Sequence, residues 1–137
     1  MSAPRPEVAV GAIVVDAAGR VLLIQRGHAP AAGRWTVPGG RVEGGETLAE
    51  ACLRELAAET GLRASIGPLV EVVEYIDERY HYVILDYLAR DPVGTLAAGE
   101  DAVDARFVAL DDLAQYDTTD GLRPVLERAL RMHAALR

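Results

Sequence analysis

The chain has 137 residues, 50% hydrophobic and 26% charged, with a formal net charge of −7. That length fits a single domain spanning 1–137, long enough to bury roughly two thirds of the surface its unfolded form exposes. The apolar fraction excludes a disordered chain, and the acidic balance argues against a nucleic-acid-binding or anionic-membrane surface.

Residues 1–6 carry two prolines and read as a loose lead-in. Val8 to Val15, VAVGAIVV, is apolar and mostly β-branched, as in a strand buried on both faces. Asp16 to Gly19 is a turn, and Val21 to Gln25 returns as the second arm of a hairpin. Arg26 closes that strand, and 27–34 is a loop. Trp35 to Val37 makes a short strand, stopped by Pro38, Gly39 and Gly40. A glycine-rich loop from Gly40 then leads into an amphipathic helix ending near Leu62. Beyond it, Ser65 to Pro68 is expected to break the chain before a strand from Leu69 to Ile76. A turn at Asp77 to Arg79 leads to the longest strand, Tyr80 to Ala89, with Tyr82, Ile84, Asp86 and Leu88 on one face. A loop follows over 91–101, then a short strand from Ala105 to Leu110 and a helical turn at Asp111 to Leu113. Thr118 or Thr119 is expected to cap the last helix, with Pro124 in its first turn. Val125, Leu126, Ala129, Leu130 and Met132 supply its apolar side. Periodicity alone supports an α+β or α/β sandwich.

The middle helix carries the strongest local signals. Thr47 and Glu50 form a capping box, and Gly61 stands just past the helix end. At about 100° per residue, Ala49, Leu53, Leu56, Ala57 and Thr60 share one face, and Glu55 and Glu59 lie one turn apart on the opposite side. Two carboxylates stacked this way repel each other, and a cation between them reverses that sign. Hard oxygen ligands suit Mg²⁺ or Mn²⁺. The single cysteine, Cys52, lies in this helix and reads as packing, so no intramolecular disulfide forms and a reducing, cytoplasmic setting is expected. The N-terminus lacks a signal-peptide pattern, and no apolar run reaches membrane-spanning length.

The stretch from Gly40 to Leu62 resembles the Nudix hydrolase signature, G-x5-E-x7-R-E-U-x-E-E-x-G-U, where U is a bulky aliphatic. Gly40, Glu46, Arg54, Glu55, Leu56, Glu59, Gly61 and Leu62 fall on the pattern, and Ala58 stands where the first glutamate of the E-E pair is expected. The flanking residues from Trp35 to Gly40 are also similar to the family. The resemblance implies the Nudix α/β/α sandwich, with the signature loop and helix against a mixed β-sheet. It further implies a hydrolase that splits the pyrophosphate linkage of a nucleoside diphosphate joined to another moiety, with an ADP-ribose-like substrate favoured. The alternatives are a nucleoside triphosphate pyrophosphatase and a non-catalytic nucleotide-sensing domain.

By the same resemblance, Glu55 and Glu59 hold the metal, Gly40 adds its backbone carbonyl, and Glu55 alternatively orients or deprotonates the attacking water. Arg54 and Glu46 form an ion pair that fixes loop and helix together. With Ala58 removing one ligand, Glu100 or Asp101 is a candidate additional acid. Arg26, Arg34 and Arg41 flank the glycine loop and are candidates to meet phosphates, because guanidinium binds phosphate oxygens as a fork. Trp35, and with less weight Tyr75, Tyr80 and Tyr82, are candidates to stack on a base. The partner expected is a small nucleotide. Since family members are often homodimers, a homodimer is the oligomeric expectation.

Overall fold

The computed structural model describes residues 2–136. Its strands are β1 (Glu7–Val15), β2 (Val21–Arg26), β3 (Trp35–Thr36), β4 (Gly39–Arg41), β5 (Leu62–Ile76), β6 (His81–Gly94) and β7 (Ala102–Val108). The helices are α1 (Leu48–Thr60) and α2 (Leu122–Ala135), with a 3-10 turn at Leu110–Gln115. The sheet runs β3-β2-β1-β6-β5, with β4 added beside β1 and β7 beside β2. β1 and β6 pair in parallel, while β5 and β6 pair antiparallel, so the sheet is mixed. None of the described helices is long and apolar enough to cross a membrane.

The two faces of β1 explain the layering. Side chains alternate along a strand, so Val10, Ala12 and Val14 point one way and Ile13 and Val15 the other. The first set meets Ala51, Cys52 and Leu56 of α1. The second joins Leu126 and Ala129 of α2, together with Leu23, Val70 and Leu88. A strand covered on both sides must be apolar almost throughout, as VAVGAIVV is. The result is a helix on each face of one mixed sheet, an α/β/α sandwich.

Several local expectations are corrected. The β1–β2 hairpin holds at only one residue pair, Val15 with Val21. β1 gives its remaining edge to β6 and β4, and β2 runs on against β7 from Val21 to Arg26. Residues 65–68 do not break the chain. β5 continues through them with register shifts between Arg63 and Ser65 and between Ile66 and Leu69, leaving Gly67 and Pro68 unpaired in the ladder. A bulge is where a strand accommodates a proline that has no N–H to donate. β6 likewise extends through residues 91–94, expected as loop. Gly39 and Gly40 do not stop the strand run but form β4 with Arg41, opposite Ala9 to Gly11. Neither threonine caps α2. Gly121 occupies the cap position at φ 77°, with no side-chain bond. Thr119 instead donates its N–H to the Trp35 carbonyl at 3.0 Å, and its hydroxyl meets that of Thr36 at 3.1 Å.

α1 has both expected ends. Thr47 Oγ1 accepts the Glu50 N–H at 3.1 Å and Glu50 Oε1 accepts the Thr47 N–H at 2.8 Å. Gly61, at φ 74°, donates to the Ala57 carbonyl at 2.9 Å. The buried face is not the expected one. It consists of Ala51, Cys52, Leu56, Glu59 and Thr60, while Leu53 is 37% exposed and Ala49 and Ala57 face water. The helix therefore rolls toward its acidic side. Leu56→Ala should cost about 2–5 kcal/mol in urea denaturation, the range for emptying a filled core site. Leu53→Ala should cost under about 1 kcal/mol, as exposed substitutions do. The reverse order would mean that the helix packs through the other face.

Candidate active site

A cleft opens across β1 and β4, and residues singled out from the sequence line it: Arg26, Arg34, Gly40, Arg41, Glu46, Glu55, Glu59 and Asp101. Glu55 and Glu59 enter it from α1, and both lean on β4. Glu59 Oε1 accepts the Gly39 N–H at 2.8 Å. A Cβ at Gly40 would lie 2.5 Å from Glu55 Oε2, so any side chain there would displace the carboxylate. The expectation that both carboxylates face away from the apolar stripe is corrected: Glu59 is only 7% exposed.

Burial shapes the electrostatics. It pushes the Glu59 carboxyl up to about 7, against the Gly39 hydrogen bond and with added repulsion from Glu55. Burial also raises Glu55, ahead of the opposing pull of Arg54. Arg54 is held as a fork, with Nε at 2.6 Å from Glu46 Oε2 and Nη2 at 2.9 Å from Glu46 Oε1. Its Nη2 also donates to the Arg41 carbonyl at 3.0 Å, and its Nη1 to Glu55. This guanidinium therefore ties the loop after β4 to the Glu55 carboxylate. Arg54, followed by the Glu43 N–H, holds the Glu46 carboxyl down at about 2.

The loop before β7 closes one side. Ala97 N–H donates to the Thr60 carbonyl and Gly99 N–H to the Glu59 carbonyl, each at 3.0 Å, so the loop is strapped to the end of α1. Gly27 N–H holds the Asp101 carbonyl at 2.8 Å, and His28 Nε2 meets the Asp101 carboxylate at 3.0 Å. The charge of Glu100 contributes to raising Glu55, and that of Asp101 to raising Glu59. Glu100 sits at φ 50°, a left-handed conformation that costs a non-glycine residue about 1 kcal/mol or more.

The three arginines differ in surroundings. Arg26 donates from Nε to the Pro30 carbonyl at 2.5 Å, and its charge reaches Glu59 and lowers that carboxyl. Arg34 lies between Asp117 at 3.5 Å and Asp120 at 3.1 Å. Arg41 meets Glu7 at 3.4 Å. Trp35 is not brought to the cleft. It is buried, edge-on to Tyr116 at 5.1 Å, with the Arg106 guanidinium 5.4 Å over its ring, so it packs the core instead of offering a stacking face. Tyr75, Tyr80 and Tyr82 do line the cleft, the last two stacked at 5.6 Å. Among the lining residues that escaped the sequence reading as site residues are Gly39 and Asp86. Gly39 fell within the family-like stretch from Trp35 to Gly40 without a role of its own. Asp86 gave a signal: it is the only acid in the alternating face of Tyr82, Ile84 and Leu88.

Among the described residues no three His, Cys, Asp or Glu side chains converge into a metal cage. The donor set is two carboxylates with mutual repulsion, Glu59 buried and Glu55 partly so. That suits a hard divalent cation that keeps water or phosphate oxygens in its remaining positions.

Comparisons with known proteins agree with this geometry. A family profile described as NUDIX domain matches residues 5–129. The chain is 38% identical over 110 residues to the ADP-ribose pyrophosphatase of Methanocaldococcus jannaschii, covering 79% of this chain but only 64% of that relative's length. It is 30% identical over 134 residues to the CTP pyrophosphohydrolase of Escherichia coli, covering 93% of this chain and 95% of that one. The crystal structure of a MutT NUDIX hydrolase from Burkholderia pseudomallei superposes with a TM-score of 0.78 at 37% identity, over 91% of this chain and 98% of the other.

The raised Glu59 carboxyl has a consequence for stability without metal. The folded chain keeps this proton up to about pH 7, while an ordinary glutamate loses it near 4.5. In that window the folded state binds more protons than the unfolded one. The contribution is therefore fully present below about pH 4.5 and lost as pH rises through about 7. Glu59→Gln removes this titration. In chelator, the variant should match its parent near pH 4.5 and exceed it by about 1–3 kcal/mol at pH 8. A stability difference that stays constant between those pH values would show that Glu59 does not titrate as a buried acid.

Proposed function

The chain belongs to the NUDIX family, and we propose that it is a divalent-metal-dependent pyrophosphohydrolase acting on a nucleoside diphosphate linked to another moiety. The observation that carries this reading is the pair Glu55 and Glu59, set side by side against Gly40 and Gly39, with Glu59 buried and Glu55 partly so. Mg²⁺ is the ion proposed, with Mn²⁺ as a substitute, since the donors are all oxygen. When bound, such an ion neutralises phosphate charge and acidifies a water molecule.

The chain's own residues do the rest. Glu55 and Glu59 hold the ion, with the Gly40 carbonyl beside them and Glu100 or Asp101 as the further acid in place of the one absent at Ala58. Glu55, lifted by burial, takes the proton of the water as its oxygen bonds to phosphorus and the anhydride bond breaks. Arg54 does not touch substrate in this scheme. It positions Glu55, and Glu46 positions Arg54. Arg26, Arg34 and Arg41 face the phosphates. Of these, Arg26 is the one whose charge lowers the Glu59 carboxyl, which supports giving it the largest share in binding the phosphates.

An ADP-ribose-like substrate is favoured by the likeness to the Methanocaldococcus jannaschii relative. The Escherichia coli relative, matched along nearly its whole length, supports a second reading, a nucleoside triphosphate pyrophosphatase. A sensing domain without catalysis is disfavoured by the intact Arg54, Glu55 and Glu59.

A substrate panel with product identification tests this. AMP with ribose phosphate is the expected product pair. Monophosphate with pyrophosphate would favour the second reading, and no turnover with any divalent ion would refute both. Glu59→Gln should lower turnover by orders of magnitude while the protein stays folded. Arg26→Ala should cost about 1.5–3 kcal/mol in kcat/KM, more than Arg34→Ala or Arg41→Ala. Equal effects at all three positions would remove Arg26 from its assigned place.

A further inference from the structure

One buried acid of the cleft has no part in the chemistry above. Asp86 lies on β6 in the row Tyr82, Ile84, Asp86, and all three line the cleft. It is 5% exposed, and among the described residues its Oδ1 has no hydrogen-bond partner. Burying a carboxyl oxygen without a donor costs free energy, and none of the described residues supplies that donor. The neighbouring strand is built around it. Gly11 stands beside Asp86 in the parallel pair, and a Cβ there would lie 2.1 Å from Oδ1 and 3.2 Å from Val37. Ala9, also small, stands beside Ile84. Val37, Ile84, Leu122 and Val125 give the cleft apolar walls, with Tyr75 and Tyr82 paired across β5 and β6 toward its rim. Oδ1 fills the space a Gly11 side chain would take, while the same carboxyl group lines the trough; apolar walls with one carboxyl acceptor suit a flat heteroaromatic ring, apolar on its faces and polar at its edge.

We infer that Asp86 selects the base of the substrate by accepting a hydrogen bond from an exocyclic amino group, so that amino bases are preferred over their oxo counterparts. This rests on the reading of the cleft as a nucleotide site. An ionised carboxylate accepts only, so it takes an N–H and repels a carbonyl oxygen. The protonated acid tolerates either. Burial, with Glu71 opposite it on β5 adding to the effect, pushes the Asp86 carboxyl up to about 7. Selection should therefore be read in alkaline buffer, where the carboxylate form prevails.

The test uses matched pairs that differ only in amino against oxo: ADP-ribose with its hypoxanthine analogue, and CTP with UTP. At pH 8.5 the parent should favour the amino member in kcat/KM by on the order of 10- to 100-fold. Asp86→Leu should bring the ratio close to one. Asp86→Asn keeps the shape and the fold, but its amide can serve either base edge, so it should also flatten the ratio. A parent with no preference, or a preference that survives both substitutions, overturns the inference. Melting shifts with AMP against IMP separate this from the reading it rests on. If nothing turns over but AMP binds better and Asp86→Asn removes the difference, the hydrolase reading fails and the base selection stands. Equal shifts with no turnover overturn both.

Discussion

The hydrogen bond from Gly39 N–H to Glu59 Oε1 holds the site together. It joins the helix that carries both carboxylates to the short strand that faces them. Two like charges one turn apart, one buried and one partly so, oppose folding, since each carboxylate loses hydration and repels the other. Leu56, Ala51 and Cys52, packed on β1 from the same helix, hold those charges in place. The caps at Thr47 and Gly61 fix where the helix begins and ends, and with them the height of each carboxylate above β4. A roll of the helix toward Leu53 would restore both groups to water and dissolve the site.

The loop around that pair is rigid for a separate reason. Arg54 takes two contacts from Glu46, one from the Arg41 carbonyl and one from Glu55. A lone surface ion pair contributes little. This one is a fork with several acceptors, and it spans residues that are distant along the chain. What it supplies is less stability than orientation, because Glu55 cannot turn away without breaking a shared guanidinium network. Gly40 completes the arrangement by leaving the space that Glu55 occupies.

How far all this was legible in the sequence depends on the range of the interaction concerned. The capping box and the C-terminal glycine act over a few residues, and Thr47, Glu50 and Gly61 announced the limits of α1. β1 was legible because a strand covered on both faces has no polar phase. The roll of α1 was not. The helical wheel followed Leu53, the larger aliphatic, whereas the buried seam is decided by what lies opposite, the small residues Gly11, Gly39 and Gly40 and the strand carbonyls. The same holds for β4, where two glycines read as a loop until Ala9 to Gly11 supply their ladder partners. Gly67 and Pro68 read as a break because a bulge is settled by the neighbouring strand, not by the residues inside it. Trp35 looked like a stacking face because a sequence does not show that Tyr116 and Arg106 already occupy its ring.

The cleft holds buried acids in two chemical settings, and the difference between them is informative. Glu59 has a donor at Gly39 and a cation in Arg26 that partly support its charged form against the repulsion of Glu55, and a divalent ion would offset that repulsion. Asp86 has none of these. Its only charged neighbour of note is Glu71, which is also acidic, and its Oδ1 meets no donor within the fold. A buried polar atom left without a partner in a native structure calls for an explanation, and a donor from a ligand is one. Placed among apolar walls beside a glycine that cannot carry a side chain, Asp86 lacks a partner that the folded chain does not provide. On the proposed reading, the two ends of one cleft would take the two ends of one kind of molecule, the phosphates through a divalent ion at Glu55 and Glu59 and the flat ring at Asp86.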